Sequence, residues 1–144
     1  TIVDRPMTRN FAAQAIKFFG LQERIDFLAE DFSTVSIKGE YDVVWLSQVL
    51  HAYGPDECRR IIAKAVESLA AGGLIMVHEF FLNDTKDGPL FPALFSLNML
   101  INNPDGRAYS EKEIAAMLAE NGVRDLKRHS FAGPNDSYVL CGKV

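Results

Sequence analysis

The sequence has little of most features that mark a specialised protein class. Cysteine occurs twice in 144 residues, at Cys58 and Cys141, too far apart for a zinc spacing and too sparse for a disulfide framework. Reduced thiols in a cytoplasm are the expectation. Basic excess is missing: 15 Lys and Arg against 19 Asp and Glu leave a net charge of −4. The cations are scattered among acids, so the electrostatic footprint of a nucleic-acid binder is absent. No apolar run approaches the roughly 20 residues that span a bilayer. The opening Thr1 to Asp4 lacks the charged and then apolar pattern of a signal peptide. Repeats, low-complexity tracts and linkers are absent too. What remains is one domain over residues 1–144, soluble and 48% hydrophobic, enough to build a core. Because the chain opens on Thr and enters the apolar pair Ile2-Val3 at once, a fragment that begins inside an element is expected.

What is present alternates between two periodicities. Thr1 to Asp4 reads as a short buried strand, and Thr8 to Phe19 is apolar at helical spacing until Gly20. Arg24 to Ala29 gives a second strand, and Ser33 to Glu40 has loop chemistry. Asp42 to Ser47 is a continuous branched and aromatic run, the pattern of a parallel strand covered on both faces. Gly54-Pro55-Asp56-Glu57 opens a helix whose apolar stripe ends at Gly72-Gly73, and Leu74 to His78 is another buried strand. After a polar turn at Asn83 to Pro89, Phe91 to Ile101 is apolar around most of its circumference and reads as a buried helix able to line a pocket. Ser110-x-x-Glu113 has capping-box form and opens a helix through Leu118, stopped at Asn121-Gly122. Leu126 to Phe131 and Ser137 to Gly142, joined by Gly133-Pro134-Asn135-Asp136, suit an antiparallel pair. The expected fold is α/β, a Rossmann-like doubly wound and mostly parallel sheet with an antiparallel C-terminal edge hairpin. Ligands of such sheets bind beyond the carboxyl ends of the strands. Attention therefore falls on Asp4, Asp31, Ser47 through His51, and Glu79.

Carboxylates at strand ends suit ribose hydroxyls or an adenine amine, although Asp4 or Asp31 alone serves equally well as a local cap. The run from Val44 to Cys58, with His51-Ala52-Tyr53-Gly54-Pro55-Asp56-Glu57, resembles the strand-to-helix segment of the S-adenosylmethionine-dependent O-methyltransferases that modify phenolic natural products in plants and bacteria. The likeness continues through Gly72-Gly73, Glu79, Leu97-Asn98-Met99-Leu100, Asn103-Pro104-Asp105-Gly106-Arg107 and Ser110-Glu111-Lys112-Glu113, and so covers nearly all of the chain. It implies His51 as general base and Glu79 as the carboxylate that orients it. It also implies Asp4 at the ribose, Arg5 as a further cofactor contact, Asp31 with Phe32 at the adenine, Tyr53 as the aromatic beside the adenine, and Ser47 near the cofactor. Phe95, Met99 and Asn102 resemble a substrate wall, though such a stripe equally suits plain core. His78 is expected in the core or facing a helix, and His129 on an exposed strand. S-adenosylmethionine, yielding S-adenosylhomocysteine, is the implied cofactor, a small hydroxyl compound the acceptor, and a homodimer the implied assembly. No metal is implied.

The sequence also departs from that pattern. The family's first strand and glycine-rich turn are not among these residues, which suggests a partial domain incomplete at its N-terminus and inactive on its own. Ala108 stands where some members carry an acid after the glycine pair, and Ser47 where plant members often carry a lysine. Two other readings stay open: a same-fold enzyme with different S-adenosylmethionine chemistry, and a non-catalytic binding or assembly module that keeps the fold.

Overall fold

Short apolar runs alternating with amphipathic stretches yield six strands and four α-helices among the described residues. The computed structural model describes residues 1–37, 39–129 and 134–144. They divide into two compact units, Thr1–Ile37 and Lys38–Val144.

In the first unit, β1 (Ile2–Asp4) pairs in parallel with β2 (Phe27–Ala29), from Ile2↔Phe27 to Asp4↔Ala29. A 3-10 turn at Pro6–Thr8 leads into α1 (Arg9–Phe18), and Gly20, at φ +66°, takes the left-handed step that ends it. The helix is shorter than the Thr8 to Phe19 expected, because the 3-10 turn absorbs Thr8 and Phe19 is the C-cap. Only the last three residues of the expected 24–29 strand pair. The amides of Arg24 and Ile25 donate to the carbonyl of Leu21 in a turn and so are withheld from any ladder. β1 is not buried as expected: Ile2 is exposed, and no residue of this unit is buried.

The second unit contains β3 (Tyr41–Ser47), α2 (Pro55–Glu67), β4 (Leu69–Glu79), α3 (Leu90–Asn102), α4 (Glu111–Glu120), β5 (Arg124–His129) and β6 (Tyr138–Lys143). The sheet order is β3-β4-β6-β5. β3 and β4 run parallel to Ser47↔His78, and β6 lies antiparallel to both β4 and β5. The α/β class with parallel ladders and an antiparallel C-terminal pair is therefore present. β3 is the outer strand of this sheet; Val43 and Trp45, which share one face of it, are half exposed, while Val44 and Leu46 on the other face are partly buried, so the strand is not covered on both faces as expected. β4 starts at Leu69, five residues before expectation, since α2 already ends at Glu67 and Leu69 pairs with Tyr41. Gly72, at φ +79°, accommodates the register irregularity that follows. β5 begins at Arg124; the end of the expected 126–131 strand, Ser130 and Phe131, and Gly133 of the turn lie outside the described residues.

The core is built by Cys58, Ile61, Ile62 and Ala65 of α2, Ile75 and Val77 of β4, Ile114, Met117 and Leu118 of α4, and Val139 to Cys141 of β6. Burying a large aliphatic side chain contributes about 1.5–3 kcal/mol, so these layers hold the carboxyl ends of β3 and β4 side by side. α3 contributes less than its composition suggests. Leu90, Leu94, Leu97, Leu100 and Ile101 are exposed and Pro92 alone is buried, because an all-round apolar helix carries no sequence signal for which side packs.

Candidate active site

At the carboxyl end of β3 the chain leaves the sheet through Gln48, whose φ of +56° is unusual for a residue with a side chain and costs about 1–3 kcal/mol. The Gln48 amide still donates to the His78 carbonyl of β4, at 2.9 Å. Past this reversal, the amides of Val49 and Leu50 both point at one oxygen of Glu79, with N···Oε1 distances of 2.9 and 2.8 Å. A 3-10 turn at Leu50–Ala52 then delivers His51, whose Nδ1 lies 2.8 Å from the other oxygen, Oε2. Glu79 is 4% exposed, so its charge is balanced by these three donors and not by bulk water. A carboxylate can only accept, so Nδ1 is the donor in this contact; in the neutral form of the ring the lone pair then lies on Nε2.

The His51 ring meets the edge of Phe95 at a centroid distance of 4.8 Å. Phe95 in turn packs on Phe80 at 4.8 Å, and Phe80 on Phe91 at 4.9 Å. The His51 imidazole thus sits beside a cluster of three aromatic rings. Neither Phe80 nor Phe91 is recoverable from sequence spacing, since each is one of several phenylalanines in apolar runs. The backbone clamp on Glu79 depends on a positive φ that no residue type at Gln48 announces.

The other expected residues fall as follows. Asp4 ends β1 and accepts the Arg5 amide at 2.7 Å. Asp31 lies two residues beyond β2 and accepts both the amide and the hydroxyl of Ser33, with Arg5 3.9 Å away. Phe32 follows it. Both carboxylates lie at the carboxyl edge of the parallel β1–β2 pair. Ser47 ends β3 with its hydroxyl 2.9 Å from His78 Nδ1, so His78 is part of the strand-end network and not plain core. Tyr53 closes the His51 turn. Met99 lies one turn beyond Phe95 on α3 and is half-buried. Asn102 is exposed and its amide turns back onto Asn98, so it does not join the cluster at His51. Ala108 is buried, with its amide on Ser96 Oγ. His129 is exposed on β5, as expected.

A histidine and a buried carboxylate are thus joined at the carboxyl ends of two parallel strands of an α/β sheet. The chain belongs to the O-methyltransferase domain family, whose model matches residues 1–124. It is 33% identical over 142 residues to a 3-hydroxy-5-methyl-1-naphthoate 3-O-methyltransferase of Streptomyces sahachiroi, covering 99% of this chain and 41% of that protein. Among solved structures it is similar to PigF with S-adenosylhomocysteine (TM-score 0.89, 29% identity, 99% of this chain and 42% of that one), a methyltransferase known from Serratia. A family 2 O-methyltransferase from Planctomyces limnophilus in complex with apigenin gives a TM-score of 0.87 at 30% identity, with 99% and 42% covered. The chain spans about two-fifths of the length of these relatives. Among the described residues, no helix is long and apolar enough to cross a membrane.

Proposed function

We propose that the full-length protein transfers a methyl group from S-adenosylmethionine to a hydroxyl of a small aromatic acceptor, with His51 as the general base. The observation that carries this reading is the 2.8 Å contact between His51 Nδ1 and the amide-clamped carboxylate of Glu79. Bound S-adenosylmethionine supplies a methyl group made electrophilic by its sulfonium. His51 Nε2 takes the hydroxyl proton as the acceptor oxygen gains the methyl, and Glu79 fixes the ring and stabilises the imidazolium that results. Phe80, Phe91 and Phe95 form an apolar wall against which a planar ring stacks and from which water is excluded. That the Streptomyces relative acts on a naphthoate, and that the Planctomyces relative was solved with apigenin, supports an aromatic acceptor here.

For the cofactor, Asp4 and Arg5 serve the ribose side and Asp31 and Phe32 the adenine, each by hydrogen bonding or ring contact available to its side chain. Ser47 and Tyr53 keep the cofactor roles that the family resemblance implies for them, and Met99 is proposed as a further acceptor contact.

The test uses the full-length protein and radiolabelled S-adenosylmethionine with a panel of hydroxynaphthoates and flavones. His51→Ala should bind S-adenosylhomocysteine within about threefold of wild type by calorimetry, while turnover on any accepted compound falls by about 10²–10⁴. Turnover that survives the substitution would remove His51 from the role of base. Failure of the unaltered protein to bind S-adenosylhomocysteine would remove the cofactor.

A further inference from the structure

Tyr109, in the segment that leads into α4, is 3% exposed and is joined to both arms of the His51–Glu79 pair. Its carbonyl accepts the Leu82 amide at 2.9 Å, beside a parallel bridge from Leu82 to Ser110. Leu82 lies three residues past Glu79 on the same run of chain. The Tyr109 phenol donates to the Tyr53 carbonyl at 2.7 Å, two residues past His51. One residue is therefore tied by its backbone to the segment that carries the carboxylate, and by its side chain to the turn that carries the imidazole.

The surrounding contacts point the same way. The Arg107 amide donates to the His51 carbonyl at 2.9 Å. Gly106 lets this segment approach: a Cβ there would come within 3.3 Å of the His51 carbonyl oxygen, 3.1 Å of that of Met99 and 2.8 Å of Asn103 Cβ. The Cys58 thiol donates to the Leu50 carbonyl at 3.2 Å and reaches the Tyr109 hydroxyl at 3.6 Å. Within the turn itself the backbone bonds are those of Ala52 to Val49 and Tyr53 to Leu50. The 51 and 53 carbonyls are thus held from outside, by the 106–109 segment, with the Cys58 thiol also 3.6 Å from the Tyr53 carbonyl.

We propose that Tyr109 is a positioning residue for methyl transfer: its hydroxyl sets the placement of the His51 imidazole against Glu79. The inference rests on the reading of that pair as base and orienting carboxylate. A neutral hydrogen bond to a carbonyl is directional, and a base displaced by a fraction of an ångström loses much of its effect.

The experiment is nitrogen NMR of full-length protein labelled at histidine, which reads the protonation of each ring nitrogen without needing the acceptor. Wild type should show His51 as one tautomer with the proton on Nδ1. Tyr109→Phe keeps the ring and removes the hydroxyl; it should give a mixed or averaged His51 signal, with about tenfold lower turnover at saturating S-adenosylmethionine on the best hydroxynaphthoate of the panel. Tyr138→Phe, which deletes a different buried hydroxyl bonded to Glu111, should leave the His51 signal and turnover unchanged. If Tyr109→Phe does not fold, Gly106→Ala provides the second route, since the added Cβ must push the same segment away from His51. A single Nδ1 tautomer with wild-type turnover in the variant that folds would overturn the role of Tyr109. If wild type itself lacked the Nδ1 proton, or if Glu79→Gln left it in place, the His51–Glu79 reading would fail instead.

Discussion

Cys58 lies under the His51 turn with its thiol turned inward, and burial there pushes its pKa up from 9.0 to about 11, against the opposing hydrogen bond with Tyr109. A thiol in the unfolded chain loses its proton from about pH 9, while the folded one holds its proton until about pH 11. The folded state therefore binds more protons in this window. The resulting stability is intact below pH 9 and is lost as pH rises towards 11, at a slope of about 1.4 kcal/mol per pH unit. Tyr109 and Tyr138 are also raised, chiefly by burial, and add their own alkaline loss above about pH 10. Cys58→Ala keeps both tyrosines, so the difference between it and the wild type isolates the cysteine. Urea midpoints measured from pH 9 to 10 should fall more steeply for the wild type than for Cys58→Ala. Parallel slopes in the two proteins would show that the thiol is not held neutral.

At the scale of elements, α4 has the most explicit terminus. Ser110 Oγ accepts the Glu113 amide at 3.2 Å and the Glu113 carboxylate accepts the Ser110 amide at 2.8 Å, which closes a capping box. Burial pushes the Glu113 carboxyl up, but hydrogen bonds from Lys86 and the Ser110 backbone outweigh this and leave it below its ordinary value. Ser110→Ala should lower stability by about 1 kcal/mol, seen as a lower urea midpoint with an unchanged slope. An unaltered midpoint would mean that the cap contributes nothing beyond the packing of Ile114 and Leu118. This box was legible in sequence because capping chemistry is local: a hydroxyl and a carboxylate three residues apart. For the same reason the termini of α1 and α4 at Gly20 and Gly122, both at positive φ, could be read directly. The segment bearing His51 and the strand end at Glu79 were legible through residue types at fixed places on the chain. What was not legible is set by non-local packing. The exposure of one face of β3 depends on what packs against that face, the early start of β4 on pairing with Tyr41, and the open side of α3 on what surrounds it. Phe80 and Phe91 become part of the site only when β4 and α3 are brought together.

Across the whole chain, burial is distributed unequally between the two units. Every buried residue among the described ones lies in Lys38–Val144. There α2, β4, α4 and β6 enclose side chains such as Ile62, Ile75, Leu118 and Leu140 at 2% exposure or less. Thr1–Ile37 has a two-stranded parallel pair of three residues per strand and one helix of ten residues. A pair this short and a helix under about 12–15 residues are each marginal without buried apolar contact. Local opening is governed by the contacts broken in the act of opening, so protection against amide exchange should differ sharply between the units. In hydrogen–deuterium exchange of the 144-residue chain, the amides of β1, α1 and β2 should exchange first. Those of β4 and β6, paired from Leu74↔Lys143 to Glu79↔Tyr138, should exchange last. The Val49 and Leu50 amides should follow the slow group although they lie in a turn, because both are bound to the buried carboxylate of Glu79. Fast exchange at these two positions, with β4 still protected, would mean that the turn opens without the sheet. The geometry around His51 would then be acquired on ligand binding and not carried by the core.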